Sequence, residues 1–203
     1  QRKGLVLCRA NAPSVSLCLR LLAVGVPAAL VRSDIIGQLL KLIDKCSGGF
    51  DQELVTDTLE SINEWKEDQL AKLAKKPNSE RMVQVVIDKV DTLHALASDK
   101  GVRTTGDLKQ RIDTLFPKGF ENVPMGERSA NMVLFSTVHG AKGGEAKTVY
   151  LYSPENYKVS LWDAVWSDAT DRDNCLYVAI TRAEHSVTYA GKPPTLSRMS
   201  ELE

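Results

Sequence analysis

Short apolar runs and one helical pattern alternate at the start of the chain. "GLVLCR" (4–9) is an apolar run with turn-like flanks, which is typical of a buried strand in a parallel sheet. Residues 12–25 carry apolar side chains at helical spacing, and Gly25 is a suitable C-terminal stop. "VPAALVR" (26–32) predicts a second strand. Strand, helix and strand at this spacing predict a βαβ unit with parallel strands and a right-handed crossover.

From Asp34 to Pro117 the pattern is helical throughout. Four apolar stripes at helical spacing follow one another, at 35–46, 54–75, 82–97 and 105–116. The first is closed by the glycines of "SGG" (47–49). Because no strand pattern interrupts these residues, we expect an all-helical insertion within an α/β unit.

Strand patterns return after the linker "PKGFENVPMGERSAN" (117–131). β-branched and aromatic residues predict strands at 132–138, 147–153 and 185–191, and "TDRDNCLYVAITRA" (170–183) predicts a helix with acids in its first turn. The expected organisation is one α/β domain of parallel strands formed by residues 1–33 and 127–203. Residues 34–126 then form the helical insertion with its linker.

Composition narrows the possible partners. The 203 residues include 26 basic and 26 acidic side chains, so a nucleic acid would need a local basic patch. The four cysteines show no CxxC spacing and no cluster with histidines, which predicts buried reduced thiols, no metal site and a cytoplasmic location. No apolar run approaches the roughly 18 residues that span a membrane. The chain opens directly into a strand without a Met, so we expect a piece of a longer polypeptide.

The segment "TVHGAKGGEAKTVYL" (137–151) has the composition of a phosphate-binding loop but not its spacing. Such a loop needs G-x-x-x-x-G-K-[ST] between a strand and a helix. If Lys147 and Thr148 are aligned with the last two positions, Ala141 and Ala146 fall where the glycines must be. A strand pattern follows instead of a helix. The chain is therefore predicted to have no phosphate loop (Walker A) of its own.

The same segment resembles motif V of UvrD/Rep-type superfamily 1 helicases, matched at Thr137, His139, Lys142, Gly143 and Glu145. "NCLYVAITRAEHSVTY" resembles motif VI of that family at 177–183. "LVLCRANAPSVSLCLRLLAVGVPAALV" (5–31) resembles the motif often labelled IVa, a strand followed by a helix. The three motifs come in the family's order. The resemblance covers about half of the chain, and the helical insertion lies where the family has its 2B subdomain.

The resemblance implies a RecA-like second motor domain (2A) of an ATP-dependent DNA helicase active in replication or repair. It implies ATP with Mg²⁺, bound mainly by an N-terminal RecA-like domain of the same polypeptide. It also implies single-stranded DNA, or a single/double-strand junction, as a partner. The chain alone is then not expected to hydrolyse ATP.

Two alternatives stay open. One is a degenerate helicase-like module that binds nucleic acid or protein without a motor, for which the zero net charge and Gly144 are the arguments. The other is an unrelated α/β fold. Its mark would be a sheet in which residues 9, 139 and 182 do not converge on one edge.

By resemblance, Arg182 is the arginine that stabilises the charge of the transferring phosphoryl group. The ordinary alternative is a helix-terminal arginine that donates to the last carbonyls. Glu145 would accept hydrogen bonds from the nucleotide's ribose, while its ordinary alternative is a loop acid. Gly143, assigned to the same nucleotide site, would allow a tight turn or a close approach to the strand.

Five residues are predicted, by resemblance, to line the nucleic-acid track: Arg9, Asn11, Thr137, His139 and Lys142. Arg9 and Asn11 follow the first strand, where open α/β sheets bind ligands. Asn11 could instead, or also, cap a helix that starts at Pro13. A histidine after a strand is more commonly structural.

Trp162 and Trp166 could stack on bases, but loop tryptophans are more commonly packing anchors. One position departs from the family pattern. Gly144 stands where the family has an apolar residue, commonly leucine, so we expect the loop to lose a packing contact there.

Overall fold

The computed structural model describes residues 4–31, 35–98, 100–116, 124–141, 143–164 and 169–195. The chain divides into two compact units. Gln1–Val31 and Gly119–Glu203 form the first, which we call the sheet unit, and Arg32–Lys118 form the second, which we call the helical unit.

The sheet unit is built on five parallel strands. They are β1 (Leu5–Cys8), β2 (Ala28–Leu30), β3 (Val133–Thr137), β4 (Ala146–Ser153) and β5 (Ala183–Gly191), in the order β2-β3-β1-β4-β5. The predicted α/β class with a parallel sheet is confirmed. β3 lies between β1 and β2, so the first two strands of the chain are parallel but not neighbours. β1, in the middle of the sheet, is buried along its whole length, as its continuous apolar run predicts.

Three described helices belong to the sheet unit: α1 (Asn11–Ala23), α6 (Met125–Asn131) and α7 (Ala169–Ile180). The predicted stop of α1 at Gly25 is confirmed, because Gly25 has a φ of 77° and its N–H donates to the carbonyl of Leu22. The next N–H, of Val26, donates to Leu21 and completes a Schellman motif. The start of α1 differs from the expectation. Asn11 is the first helical residue rather than a cap before Pro13.

The end of α7 also differs from its pattern. The sequence predicts a helix to residue 183, but α7 ends at Ile180 and β5 begins at Ala183. The cause is sheet pairing: Ala183 is the partner of Ala146, and the N–H of Ala146 donates to the carbonyl of Arg182. Arg182 therefore lies in a two-residue link between helix and strand.

The sequence predicts only a linker where α6 forms. This helix of seven residues follows Pro124 and contains Gly126, so intrinsic propensity does not favour it. Met125 is buried among the core side chains of the sheet unit. Tertiary packing of Met125 explains a helix that local pattern does not indicate.

The helical unit contains α2 (Ile35–Cys46), α3 (Val55–Leu73), α4 (Glu80–Ala97) and α5 (Thr105–Leu115). The apolar stripes predict these four helices, with ends that differ by a few residues. The fully buried side chains include Ile62, Leu93, Leu108 and Ile112, one or more from each of α3, α4 and α5. Lys109 of α5 donates to both Asp44 and Asp51 at 2.6 Å, and these two bonds raise its pKa.

The cysteines are mostly as predicted. Cys8, Cys18 and Cys175 are buried and free, whereas Cys46 is only partly buried. Burial raises the pKa of Cys18 to about 12, so its thiol stays protonated near neutral pH. Over the described ranges, no group of three or more His, Cys, Asp or Glu side chains could hold a metal ion. None of the helices described is both long and apolar enough to cross a membrane.

Candidate functional site at the two edges of the sheet

Two of the predicted track residues follow neighbouring strands at the carboxyl edge of the sheet. Cys8, the last residue of β1, is paired with Thr137, the last residue of β3. Arg9 comes directly after Cys8, and His139 comes two residues after Thr137. Because the carboxyl ends of parallel strands meet at one edge, both residues lie at the edge where open α/β sheets bind ligands.

The turn after β3 is held by Thr137. Its hydroxyl accepts the N–H of Gly140 at 3.1 Å, and its carbonyl accepts the N–H of Ala141 at 3.0 Å. Within this turn Val138 is buried and His139 is exposed. An exposed imidazole in a fixed turn is able to contact a phosphate or a base. Lys142 lies outside the described residues, and its role stays a prediction.

Arg9 has its partners inside the sheet unit. The residue is buried, Nη1 donates to the carbonyl of Ala164 at 2.5 Å, and Nη2 lies 3.9 Å from Oδ2 of Asp171. These contacts connect the end of β1 to the loop after β4 and to α7. A contact between Arg9 and nucleic acid stays a prediction. The same holds for Asn11, which is partly exposed in the first turn of α1.

Trp162 is fully buried, so it is a packing anchor rather than a stacking platform. Trp166 lies outside the described residues.

Glu145 and Arg182 lie together at the opposite, amino edge of the sheet. Each directly precedes a strand, and the two strands begin as the pair Ala146 and Ala183. The hydrogen bond from the N–H of Ala146 to the carbonyl of Arg182 measures 3.0 Å. The two candidate nucleotide residues are thus fixed to each other through the backbone.

The expectation that residues 9, 139 and 182 share one edge is wrong. Leu151 pairs with Leu7 near the carboxyl end of β1. Five residues of strand separate Leu151 from Ala146, or about 16 Å. A chain enters every strand of a parallel sheet at the amino edge, and Arg182 immediately precedes β5. The segment 138–145 therefore runs from one edge to the other.

The side chain of Arg182 is folded against the end of α7. Its Nε donates to the carbonyl of Val178 at 3.2 Å, and its Nη2 donates to the hydroxyl of Thr181 at 3.3 Å. The Thr181 hydroxyl in turn donates to the same carbonyl at 2.9 Å. In this conformation Arg182 is thus a helix-terminal arginine that donates to one of the last carbonyls of α7. Nη1 makes no hydrogen bond to any described residue, and the side chain is partly exposed, so a further acceptor can reach it.

Beside these residues lies a pocket of about 530 Å³. Its walls come from α6 with Pro124 before it, from the loop before β4, and from the starts of β4 and β5, and they include Gly143, Gly144, Glu145, Lys147 and Glu184. Gly143 has a φ of 78°, and nothing lies within 4 Å of the position a Cβ would take. Glycine is therefore suited to this position because of the turn, and not because another part of the chain approaches it closely.

Gly144 is in close contact with Met125. A Cβ at position 144 would lie 2.8 Å from Sδ, 2.9 Å from Cε and 3.2 Å from Cβ of Met125. The expected loss of a packing contact is therefore wrong, because the methionine occupies the space above the glycine. The sequence assigns no site role to three residues of the pocket wall: Met125, Lys147 and Glu184. The departure from the family pattern at Gly144 is the one signal that points to a partner there.

Residues 132–188 match the family model described as the UvrD-like helicase C-terminal domain. Over this segment the chain is similar to the UvrD-like helicase C-terminal domain. The resemblance to UvrD/Rep-type helicases is confirmed over this segment, so the separation of residues 9 and 139 from residue 182 does not mark an unrelated fold. The segment contains six of the predicted site residues, namely Thr137, His139, Lys142, Gly143, Glu145 and Arg182.

The matched segment of the helicase C-terminal domain spans β3, β4, α7 and the first part of β5. Arg9, Asn11 and the whole helical unit lie outside it. A search of curated proteins gave no match to the chain.

Proposed function

We propose that this chain is the C-terminal motor region of an ATP-dependent DNA helicase. Arg182 contributes the arginine finger, Glu145 contacts the ribose, and Thr137, His139 and Lys142 form part of the single-strand track. The family of the matched segment supports the helicase class. The finer assignments come from the resemblance to helicase motifs V and VI, and the positions of the described residues among them support these assignments.

The observation that carries the proposal is the hydrogen bond between Ala146 and Arg182, which joins the two candidate nucleotide residues at one edge. Arg182, whose carbonyl accepts this bond, carries a guanidinium that suits a phosphate. Glu145, one residue before Ala146, carries a carboxylate that suits ribose hydroxyls. Nη1 of Arg182 is available for a new acceptor without breaking its two hydrogen bonds to the end of α7.

The loop between the two edges supports coupling between ligands. Thr137 and His139 lie at its carboxyl-edge end and Glu145 at its amino-edge end. A nucleic acid at one edge and a nucleotide at the other would both bind the same short segment. Closure around the nucleotide can therefore move the contacts to the strand, which is the step that translocation requires.

The proposal requires a second domain that holds the phosphates of ATP and the Mg²⁺ ion. The sequence has no G-x-x-x-x-G-K-[ST], and the described residues contain no cluster suited to a metal ion. We propose that an N-terminal RecA-like domain of the same polypeptide supplies both, and that the chain alone does not hydrolyse ATP. Single-stranded DNA, or its junction with a duplex, is the proposed partner.

The test is Arg182→Ala in the protein that contains this chain. We expect DNA-stimulated ATPase kcat to fall by about 10³- to 10⁵-fold, because developing charge on the phosphoryl group loses its guanidinium. The Kd for a fluorescent ATP analogue should change little. Arg20→Ala, which removes the same group from an exposed position on α1, is the matched control and should keep parental kcat.

Parental ATPase in Arg182→Ala would overturn the finger assignment. Parental protein that binds single-stranded DNA but turns over no ATP would favour the alternative, a helicase-like binding module without a motor. Gly144 is one sequence argument for such a module. Because Met125 packs against Gly144, the glycine does not leave the loop without a packing contact.

A further inference from the structure

Helix α6 packs directly on the loop that precedes β4. Met125 lies against Gly144, with Sδ, Cε and Cβ of the methionine 2.8 to 3.2 Å from where a Cβ would stand. At the next residue of α6, a Cβ on Gly126 would lie 3.3 Å from the carbonyl oxygen of Glu145. Two consecutive residues of α6 therefore contact two consecutive residues of the loop.

Backbone hydrogen bonds also hold this loop. The N–H of Gly144 donates to the carbonyl of Ala141 at 2.9 Å, and the N–H of Ala146 donates to Arg182 at 3.0 Å. Glu145 itself is exposed at the wall of the pocket. The backbone at Glu145 and Ala146 is thus held by the link before β5 and contacts α6.

We propose that Met125 is a positioning residue that sets where Glu145 faces the nucleotide. Met125 supplies from α6 the apolar volume that the loop lacks at Gly144. The inference rests on the proposed function, because it takes Glu145 as the ribose contact. It adds a residue outside the family match, which begins at residue 132.

The steric facts predict a reciprocal relationship between positions 125 and 144. The two nearest atoms, Sδ and Cε, are the end of a flexible side chain, so an alanine at 144 needs only a small shift. A leucine at 144 needs the volume that the buried Met125 fills. Removing the methionine and adding the leucine together restores the volume of the pair.

The experiment is a double-mutant cycle in the full-length protein, with DNA-stimulated ATPase as the readout. Met125→Ala should raise KM for ATP by about 10- to 100-fold with kcat within about 2-fold, because a ribose hydrogen bond contributes uniform binding. Gly144→Leu should raise KM similarly. Met125→Ala/Gly144→Leu should return KM to within about 3-fold of the parent. Met82→Ala, an exposed methionine on α4, is the control and should leave both constants unchanged.

Amide hydrogen exchange gives a second readout that does not depend on ATP turnover. Met125→Ala should accelerate exchange at the amides of Gly144 and Ala146 and leave Leu108 of α5 unchanged. Two results together would overturn the proposal. One is a KM in the double variant that rises by the product of the two single-variant increases, and the other is parental amide exchange in Met125→Ala.

Faster exchange with parental KM in Met125→Ala would also overturn it, since Met125 would then hold the loop without affecting the nucleotide. Glu145→Ala, which removes the acceptor oxygens, separates the two possible failures. If this variant also keeps parental KM, the ribose assignment in the proposed function has failed. If it raises KM while Met125→Ala does not, only the positioning role has failed.

Discussion

The N–H of Ala146 donates to the carbonyl of Arg182 at the point where β4 and β5 begin. This bond makes the segment before β4 and the link after α7 one structural unit. The two segments that resemble helicase motifs V and VI thus share a backbone hydrogen bond, although some 35 residues separate them in the sequence. The arrangement gives Glu145 and Arg182 a fixed relationship that does not depend on side-chain packing alone.

Thr181 is expected to orient Arg182. Its hydroxyl accepts from Nη2 of Arg182 and donates to the carbonyl of Val178, which also accepts from Nε. Thr181→Val removes the hydroxyl but keeps the shape of the side chain. We expect ATPase kcat of the full-length protein to fall by about 10- to 100-fold with KM little changed, because the guanidinium loses its fixed orientation.

Thr181→Ser is the matched control for this prediction. It retains the hydroxyl and should keep most of the parental kcat. If Thr181→Val and Thr181→Ser both turn over ATP at the parental rate, the hydroxyl has no role in orienting the arginine.

The sequence predicts every strand of the sheet and most helices, because the periods of apolar residues are local signals. It does not predict that β3 lies between β1 and β2, since strand order depends on contacts far apart in the chain. The placement of Arg182 at the opposite edge from His139 follows from α7 ending before β5. The helical pattern continues to residue 183 and so does not indicate that Arg182 lies in the link before β5.

The contact of Met125 with Gly144 is invisible in the sequence for a related reason. The sequence shows only that position 144 has no side chain. Its partner Met125 lies in α6, and the prolines and glycines of 117–131 indicate a linker rather than a helix there. Burial of Arg9 is also unpredictable from local pattern, because its partners Ala164 and Asp171 come from distant parts of the chain.

Two glycines with opposite environments should respond oppositely to alanine. Gly191, at the end of β5, has a φ of 77°, and a Cβ there would overlap the carbonyl oxygen of Ser153. Gly191→Ala should lower the free energy of unfolding by at least about 1–3 kcal/mol, the cost of the strained backbone alone. Gly37, in the first turn of α2, has open space around a Cβ. Gly37→Ala should raise the free energy of unfolding by about 0.5–1 kcal/mol.

Urea unfolding of each variant, with the slope compared to the parent, measures both effects. Equal destabilisation by the two substitutions would contradict the prediction, because only Gly191 combines a positive φ with a steric overlap.

The start of α5 should make the helical unit sensitive to acid. Oδ2 of Asp107 accepts the N–H groups of Arg103 at 3.0 Å and Thr104 at 2.9 Å, and the hydroxyl of Thr104 accepts the N–H of Asp107. The backbone bond from Arg103, followed by those from Thr104, lowers the pKa of Asp107 below its usual value of 3.8. A carboxyl whose folded pKa is depressed stabilises the fold above the unfolded pKa. This contribution is lost as the pH falls through the folded pKa.

We therefore expect Asp107→Asn to reduce the free energy of unfolding at pH 7 and to have a much smaller effect below the folded pKa of Asp107. Thr104→Ala removes the reciprocal cap and should cost about 1 kcal/mol at either pH. Asp91→Asn, on an exposed position of α4, is the control and should change neither value appreciably. Urea unfolding at pH 7 and at the lowest pH at which the protein stays folded gives the comparison. An equal effect of Asp107→Asn at both pH values would show that the ionised carboxylate does not stabilise the helix start, since protonation would then make no difference.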